Sequence, residues 1–343
     1  MTDNSYAAAG VDIAAGERAV DLMRAAVRAT HTPDVVGGVG SFGGLYRAPG
    51  AAGQVLVSST DGVGTKLKVA SALGRHDTIG RDLVHHCIDD ILTLGARPLF
   101  FLDYIGINSL VPETVAAIVG GLAAACRDHG VALIGGETAE LPDLYAPGDY
   151  DLAGFIVGTV AEADIVDGRM VEAGDVVIGL PSDGLHTNGY SLARRVFADA
   201  DLHAYAPDLG TSLGVELLRP HRCYLPEVAP WLGRGIVKAM AHITGGGLPG
   251  NLPRTLPEGL AAALDPTAWD VPPIFGLIEQ RGGVPRAEMY RVFNMGIGYT
   301  LTCAAPHAGE LLAALPDARA IGHIVPLPGG GHGAAKARVL GLA

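Results

Sequence analysis

Two mixed α/β domains are what this chain of 343 residues predicts, and three observations carry the expectation. The length exceeds what one hydrophobic core organises. Hydrophobic residues make up 49% and charged residues only 17%, a balance that suits tightly packed layers rather than disorder. Short alternating apolar runs interleave with segments of helical spacing, the pattern of α/β or α+β layers.

Taken in order, residues 16–30 repeat apolar side chains at helical spacing. The glycine-rich segment 37–44 embeds Phe42, which favours a loop closing over a ligand against a flexible linker. Residues 54–59 alternate as a strand and run into Asp61-Gly-Val-Gly-Thr-Lys66. Helical spacing covers 66–73 and 83–94, and 100–105 reads as a strand. The helix 112–129 opens on Pro112, as first turns tolerate. Residues 131–134 form a strand running into Gly135-Gly136, and 150–160 form another. The polar, turn-rich stretch 161–174 predicts the boundary, dividing the chain into 1–168 and 169–343. Beyond it come a strand at 174–180, a loop at 181–189, a helix at 190–200 and a proline-rich surface stretch at 206–230. The cluster Thr244-Gly-Gly-Gly247 follows. Residues 289–301 read as an edge strand, and the tail 329–334 as a mobile loop with His332 solvated.

The bulk numbers exclude several classes. Thirty-six acidic against 24 basic residues leave a net charge of −12, which argues against a nucleic-acid groove or an anionic membrane surface. The four cysteines, Cys87, Cys126, Cys223 and Cys303, are scattered without a C-x-x-C pair, so neither a zinc knuckle nor a redox motif is indicated. The apolar run 115–126 is too short to span a bilayer. The polar first residues lack the apolar core of a signal peptide, and the reducing cytoplasm is the expected compartment.

The chemistry concentrates in a few places. Asp61, Gly62, Gly64, Thr65 and Lys66 combine a carboxylate for Mg²⁺, glycines that let backbone approach a ligand, and an ammonium for phosphate. The element reads as a Mg²⁺-nucleotide site, with an ordinary strand-turn as the bland alternative; it is not a Walker A loop. Asp89 and Asp90 sit adjacent within an apolar helical run. Neighbouring helical side chains point about 100° apart, so either one faces a metal or nucleotide, or both form a surface pair. Asp103 and Glu137 follow strand ends, where ligand sites form. Asp61, Asp90, Asp103 and Glu137 are the metal candidates, with Glu140 more plausibly a cap. His186 and His242 stand in polar, glycine-rich loops, where a histidine either meets a ligand or is simply packed.

These blocks fall in an order that resembles a known family, the phosphoribosylformylglycinamidine cyclo-ligases, also called aminoimidazole ribonucleotide synthetases. The resemblance rests on Ser5-Tyr-x3-Gly-Val-Asp-Ile13, Gly37-Gly-x-Gly-x-Phe-Gly43, Thr60-Asp-Gly-Val-Gly-Thr-Lys66 and His76-Asp-Thr-Ile-Gly80. It continues through Pro98-Leu-Phe-Phe-Leu-Asp-Tyr104, Gly135-Gly-Glu-Thr-Ala-Glu140, Asp149-Tyr-Asp-Leu-Ala-Gly154, His186-Thr-Asn-Gly-Tyr-Ser-Leu192, Thr244-Gly-Gly-Gly247 and Glu288-Met-Tyr-Arg-Val-Phe-Asn294, and so covers nearly the whole chain.

The resemblance implies ATP-dependent ring closure of formylglycinamidine ribonucleotide, with Mg²⁺ and, as a further candidate, K⁺. It also implies a homodimer whose N-terminal sheets pair. Nucleotide binding then falls to Gly40, Gly43, Asp61, Gly62, Gly64, Thr65, Lys66, Asp82, Asp90 and Gly136. The catalytic candidates are Lys66, His186 and His242, with either histidine moving the proton released on ring closure. The chain departs from the family where Asp89-Asp90 replaces the usual Asn-Asp, where Ser182-Asp-Gly184 replaces Ser-Ser-Gly, and where Arg24 replaces a lysine. A small-metabolite kinase sharing the Asp61–Lys66 element and a non-catalytic nucleotide-binding module are the rival readings.

Overall fold

A computed structural model describes residues 6–38, 40–328 and 336–342; the tail 329–334 with His332 therefore lies outside the described residues. The first half begins with helix α1 (Ile13–Arg28), whose first turn is capped by Asp12, its carboxylate accepting from the Ala15 amide. Its strands are β1 (Val35–Val36), β2 (Gly44–Arg47), β3 (Gln54–Gly62), β4 (Arg97–Ile107), β5 (Ala132–Glu140) and β6 (Tyr150–Ala161). They form one sheet in the order β1-β2-β3-β6-β4-β5. Only β4 and β5 run parallel, and that pair is joined by helix α4 (Pro112–Asp128), the crossover that parallel strands require. Helices α2 (Lys66–Leu73) and α3 (Ile79–Leu92) precede β4.

The second half holds a second six-stranded sheet, in the order β10-β12-β7-β13-β11-β14. Its strands are β7 (Val176–Pro181), β10 (Val237–His242), β11 (Leu260–Leu264), β12 (Ile297–Cys303), β13 (Arg319–Pro326) and β14 (Arg338–Leu340). A two-stranded ribbon, β8 (Tyr205–Ala206) with β9 (Thr211–Ser212), and helices α5 (Tyr190–Val196) to α11 (Ala305–Ala314) surround it. The protein is thus a mixed α/β chain with two sheets, as the sequence predicts.

Helix α3 positions the site. Every residue from Asp82 to Leu92 is buried. Its apolar side chains Leu83, Cys87 and Ile91 pack under the first sheet, where Gly154 and Gly158 leave no room for a Cβ: one added at Gly154 would meet Phe101 at 2.4 Å. Against α4 the approach is closer still. A Cβ on Gly80 would lie 2.2 Å from the Ile118 carbonyl oxygen, and one on Gly121 2.5 Å from that of Asp77.

Three local expectations give way. Residues 289–301 are not an edge strand: α10 (Arg286–Val292) comes first, Met295 turns the chain at φ 51°, and β12 then runs in the interior between β10 and β7. The proline-rich stretch 206–230 is not wholly surface, because Leu213, Leu217, Tyr224 and Val228 are buried in the core. The strand begun at 132 carries on through the glycine pair to Glu140, since Gly136 faces Asp103 with no space for a side chain.

Candidate functional site

The polar residues of α3 face the second half of the chain. Asp82 Oδ1 accepts from the backbone N–H of His221 (2.7 Å), and its other oxygen lies 2.8 Å from Lys66 Nζ. His85 Nδ1 meets the His221 carbonyl (2.5 Å). Asp89 Oδ1 accepts from the Tyr224 amide (2.9 Å). His86 and Asp90 lie four residues apart and therefore on one helical face, and they belong to a longer chain of contacts.

That chain begins at the end of β3. Asp61 Oδ1 accepts from the Gly62 amide (2.7 Å), and Oδ2 accepts from His86 Nε2 (2.6 Å). His86 Nδ1 meets Thr187 Oγ1 (2.8 Å), which stands 3.3 Å from His221 Nδ1. His221 Nε2 and His242 Nε2 are 3.0 Å apart. His242 Nδ1 donates to Asp90 Oδ1 (2.9 Å), and the Ser59 hydroxyl donates to Asp90 Oδ2 (2.9 Å). A carboxylate only accepts, so the protons on His86 Nε2 and His242 Nδ1 are fixed by Asp61 and Asp90.

The charge pattern follows from position. Burial disfavours a charged His86, but the Asp61 carboxylate beside it overrides burial and raises it to about 9. Burial would also raise Asp61, yet His86 holds it below the usual carboxylate range. His186 and His221 are pushed well below the ordinary imidazole value by burial, and His242 is lowered by burial despite Asp90. Burial drives the Asp89 carboxyl well up. Lys66 is pulled down and Asp82 up by burial, each opposed by the other's charge. The site therefore joins two ion pairs, the partly exposed Asp61 with His86 and the enclosed Asp82 with Lys66, to imidazoles in which burial disfavours the charged form.

Of the residues expected at the site, Asp61, Asp90 and His242 come together through this chain. Both carboxylates have both oxygens engaged, and Asp61 is the accessible end, with a side chain 39% exposed. Lys66 is wholly enclosed, its ammonium also donating to the carbonyls of Arg219 (2.6 Å) and His186 (3.1 Å). His186 and His242 are enclosed as well. Gly64 turns at φ 71° ahead of α2, and Thr65 Oγ1 lies 3.2 Å from Ser191 Oγ. Asp103 stands in register with Gly154, which also pairs with Asp61, so the two acids share a sheet face about 10 Å apart. Glu137 pairs with Tyr104, one residue past the Asp103–Gly136 pair, which turns it to the opposite face.

Gly40 and Gly43 lie elsewhere, on a cavity of about 620 Å³ walled by the glycine loop, Phe42, Thr93, Met240 and Arg254. Arg254 donates to the Gly40 carbonyl (3.2 Å) and lies over the Phe42 ring. Thr93 follows Asp90 by one helical turn, its hydroxyl donating to the Asp90 carbonyl (2.6 Å), so the cavity and the carboxylate chain share a wall.

Sequence reasoning passed over His86, His221 and Thr187. For His86 the signal was present: His85, His86, Asp89 and Asp90 crowd six residues of an otherwise apolar helix. For His221 there was none, since its partners lie 21 and 34 residues away.

Comparison with known proteins places this architecture. The N-terminal domain family of AIR synthase related proteins matches residues 42–160, and the C-terminal domain family matches residues 172–333. A phosphoribosylformylglycinamidine cyclo-ligase of Desulfitobacterium hafniense is 54% identical over 304 residues, covering 87% of this chain and 88% of its own. One from an Anaeromyxobacter species is 53% identical over 333 residues, covering 93% and 95%. Among solved structures, a thiamine-monophosphate kinase from Stenotrophomonas maltophilia superposes with a TM-score of 0.59 at 20% identity, covering 94% of this chain and 96% of its own. The AaThiL complex with AMPPCP and TMP gives 0.64 at 15% identity, covering 94% and 92%. These two likenesses are of fold.

Proposed function

The chain belongs to the AIR synthase related family, and within it to the phosphoribosylformylglycinamidine cyclo-ligases; from that membership we propose how its residues carry the reaction. The enzyme closes formylglycinamidine ribonucleotide to aminoimidazole ribonucleotide in purine biosynthesis, with release of ADP and phosphate. An amide oxygen leaves poorly. Phosphorylation of the formyl amide oxygen lets it depart as phosphate while the amidine nitrogen of the same molecule attacks the carbon. Holding both ends in place removes much of the entropic barrier, and one proton must leave the attacking nitrogen.

The observation that carries our assignment of roles is the Asp61–His86 pair, a half-exposed carboxylate held by a charged imidazole. Asp61 fits Mg²⁺, being a carboxylate oxygen donor whose side chain is 39% exposed; when bound with ATP, the ion would offset charge on the transferring phosphoryl group. Asp90, Asp103 and Glu137 are further candidate ligands that need rearrangement or a second ion, and K⁺ is a candidate for the same acidic surface. The ATP base fits the cavity at Gly40 and Gly43, whose volume is in the range of small-ligand sites. The amides of Gly62, Gly64 and Thr65 are suited to phosphate oxygens. His86 holds the Asp61 carboxylate in place from a buried position, and His186 and His242 remain the candidates for moving the released proton. Lys66 and Asp82 position the loop between the halves, and Gly136 gives Asp103 its room.

The outer face of the first sheet suits a second copy of the chain. Tyr104 and Phe155 lie on it, 37% and 43% exposed, and Leu99 on β4 and Ile134 on the neighbouring β5 are exposed as well; such patches mark interaction surfaces. A homodimer in the cytoplasm, with domains at 1–168 and 169–343, completes the reading.

The test is turnover of formylglycinamidine ribonucleotide with MgATP and K⁺. ADP and aminoimidazole ribonucleotide are expected to appear in equal amounts. His86→Gln is expected to lower activity about 10–100-fold, as for a lost partner of a metal-ligating side chain. ADP without the ring product would favour a kinase, and an unimpaired His86→Gln would remove the role given to the Asp61–His86 pair.

A further inference from the structure

The cavity beside the carboxylate chain is walled by both halves of the molecule. The first half supplies the glycine loop, Phe42 and Thr93; the second supplies Met240, Arg254 and Thr255, and the segment joining the halves passes along it at 166–168. Among the described residues that wall it, Arg254 is the one lysine or arginine. The cation that the sequence offers to phosphate, Lys66, is wholly enclosed with Asp82. A nucleotide here therefore needs its basic partner from another residue.

Arg254 is built for that part. It stands on a single tight turn, Leu252–Thr255, seated so closely on the joining segment that Gly168 has no room for a Cβ against the Thr255 carbonyl. Its Nε donates to the Gly40 carbonyl (3.2 Å) and its Nη1 to Asn251 Oδ1 (3.1 Å). Asn251 is itself fixed: its Nδ2 reaches the carbonyls of Thr244 (3.3 Å), Gly245 (3.2 Å) and Gly247 (2.9 Å), which turns Oδ1 towards the arginine. The Phe42 ring supports the guanidinium from one face, its centroid 3.7 Å away.

Neither hydrogen bond goes to a carboxylate, and Arg254 forms no ion pair among the described residues. The residue keeps some exposure, yet packing around it lowers the guanidinium below its usual value, with Asp90 the one acid opposing the shift. A guanidinium has five N–H donors. Those on Nη2 have no hydrogen-bond partner among the described residues. A planar cation fixed by two donors and one face, with others unused, is preorganised for an oxyanion.

We propose that Arg254 is a phosphate-binding residue of the nucleotide site, its unused N–H groups donating to a phosphate oxygen of ATP. This role rests on the placing of the ATP base at Gly40 and Gly43. The second half then contributes the cation, and the first half contributes the amides of Gly62, Gly64 and Thr65.

The experiment measures binding of MgATP and of adenosine to the full-length protein and its variants. Arg254→Gln should weaken ATP about 10- to 100-fold, as for a lost hydrogen bond between charged groups, and leave adenosine unchanged. Arg254→Lys keeps the charge without the planar fork and should recover part of the loss. Arg234→Gln, which removes a guanidinium over Trp231 outside the cavity, should alter neither affinity. Photolabelling with 8-azido-ATP locates the base independently, and modification within residues 37–45 is expected. Equal losses for ATP and adenosine would make Arg254 a support of the loop alone, and an unchanged ATP affinity would remove it from the site; either overturns phosphate binding while the cavity keeps its base. Label found only outside the cavity overturns the placing of the base and this role with it. Should Arg254→Gln fail to fold, Arg254→Lys decides by the same comparison of ATP with adenosine.

Discussion

Lys66 shows how burial reassigns a residue. Its place in Asp61–Lys66 suggests an ammonium aimed at phosphate; the structure gives it Asp82 and two carbonyls, with no exposed surface. Removing one member of a buried pair leaves the other charge uncompensated, so Lys66→Met should cost about 3–5 kcal/mol in denaturant unfolding. His86 makes a prediction in pH. Its folded value stands at about 9 against an ordinary 6.5. The stability it contributes is therefore full below about pH 6.5 and is lost as pH rises through about 9. Unfolding free energy measured from pH 6 to 10 should fall across that window, and His86→Gln should flatten the slope. Asp61, held low, works in the other direction and contributes less as the medium turns strongly acidic.

Helix α3 was legible as a helix, and its acids were legible as unusual. Their surroundings were not. With Asp89 and Asp90 about 100° apart, the sequence suggests either one acid at a site with the other facing solvent or capping a neighbour, or a surface pair; both are buried because the second half covers the flank that the first sheet leaves open, and Asp89 accepts from the Tyr224 amide. Tyr224 and His242, which satisfy them, are 135 and 152 residues away, beyond any local pattern. Apolar runs misled in a similar way at 289–301, where Met289, Tyr290 and Val292 point into the core from a helix rather than a strand. The glycines of α3 and α4 give this level its test. Gly80→Ala places a methyl against backbone that cannot retreat, and overpacking of this kind costs typically 1–3 kcal/mol. Thermal unfolding should register the loss, whereas Gly120→Ala, with open space around it, should not.

For the molecule as a whole, alternation and length foretold two mixed layers, and both sheets are there. Which strands neighbour which was not foretold, because the second sheet interleaves strands as distant as β7 and β13. The exposed apolar face of the first sheet predicts a dimer; Phe155→Asp should halve the mass measured by sedimentation, and an unchanged mass would place any interface elsewhere. The buried polar face of α3 has one more consequence, which concerns the order of synthesis. Asp82, Asp89 and Asp90 leave the ribosome well before residues 221, 224 and 242 that receive them. Until those arrive, the helix cannot sink under its sheet without stranding carboxyl groups in an apolar interior. The sheets look like two modules, yet the nascent first half must wait, and a graft joining it to a foreign partner would inherit acids with nowhere to go.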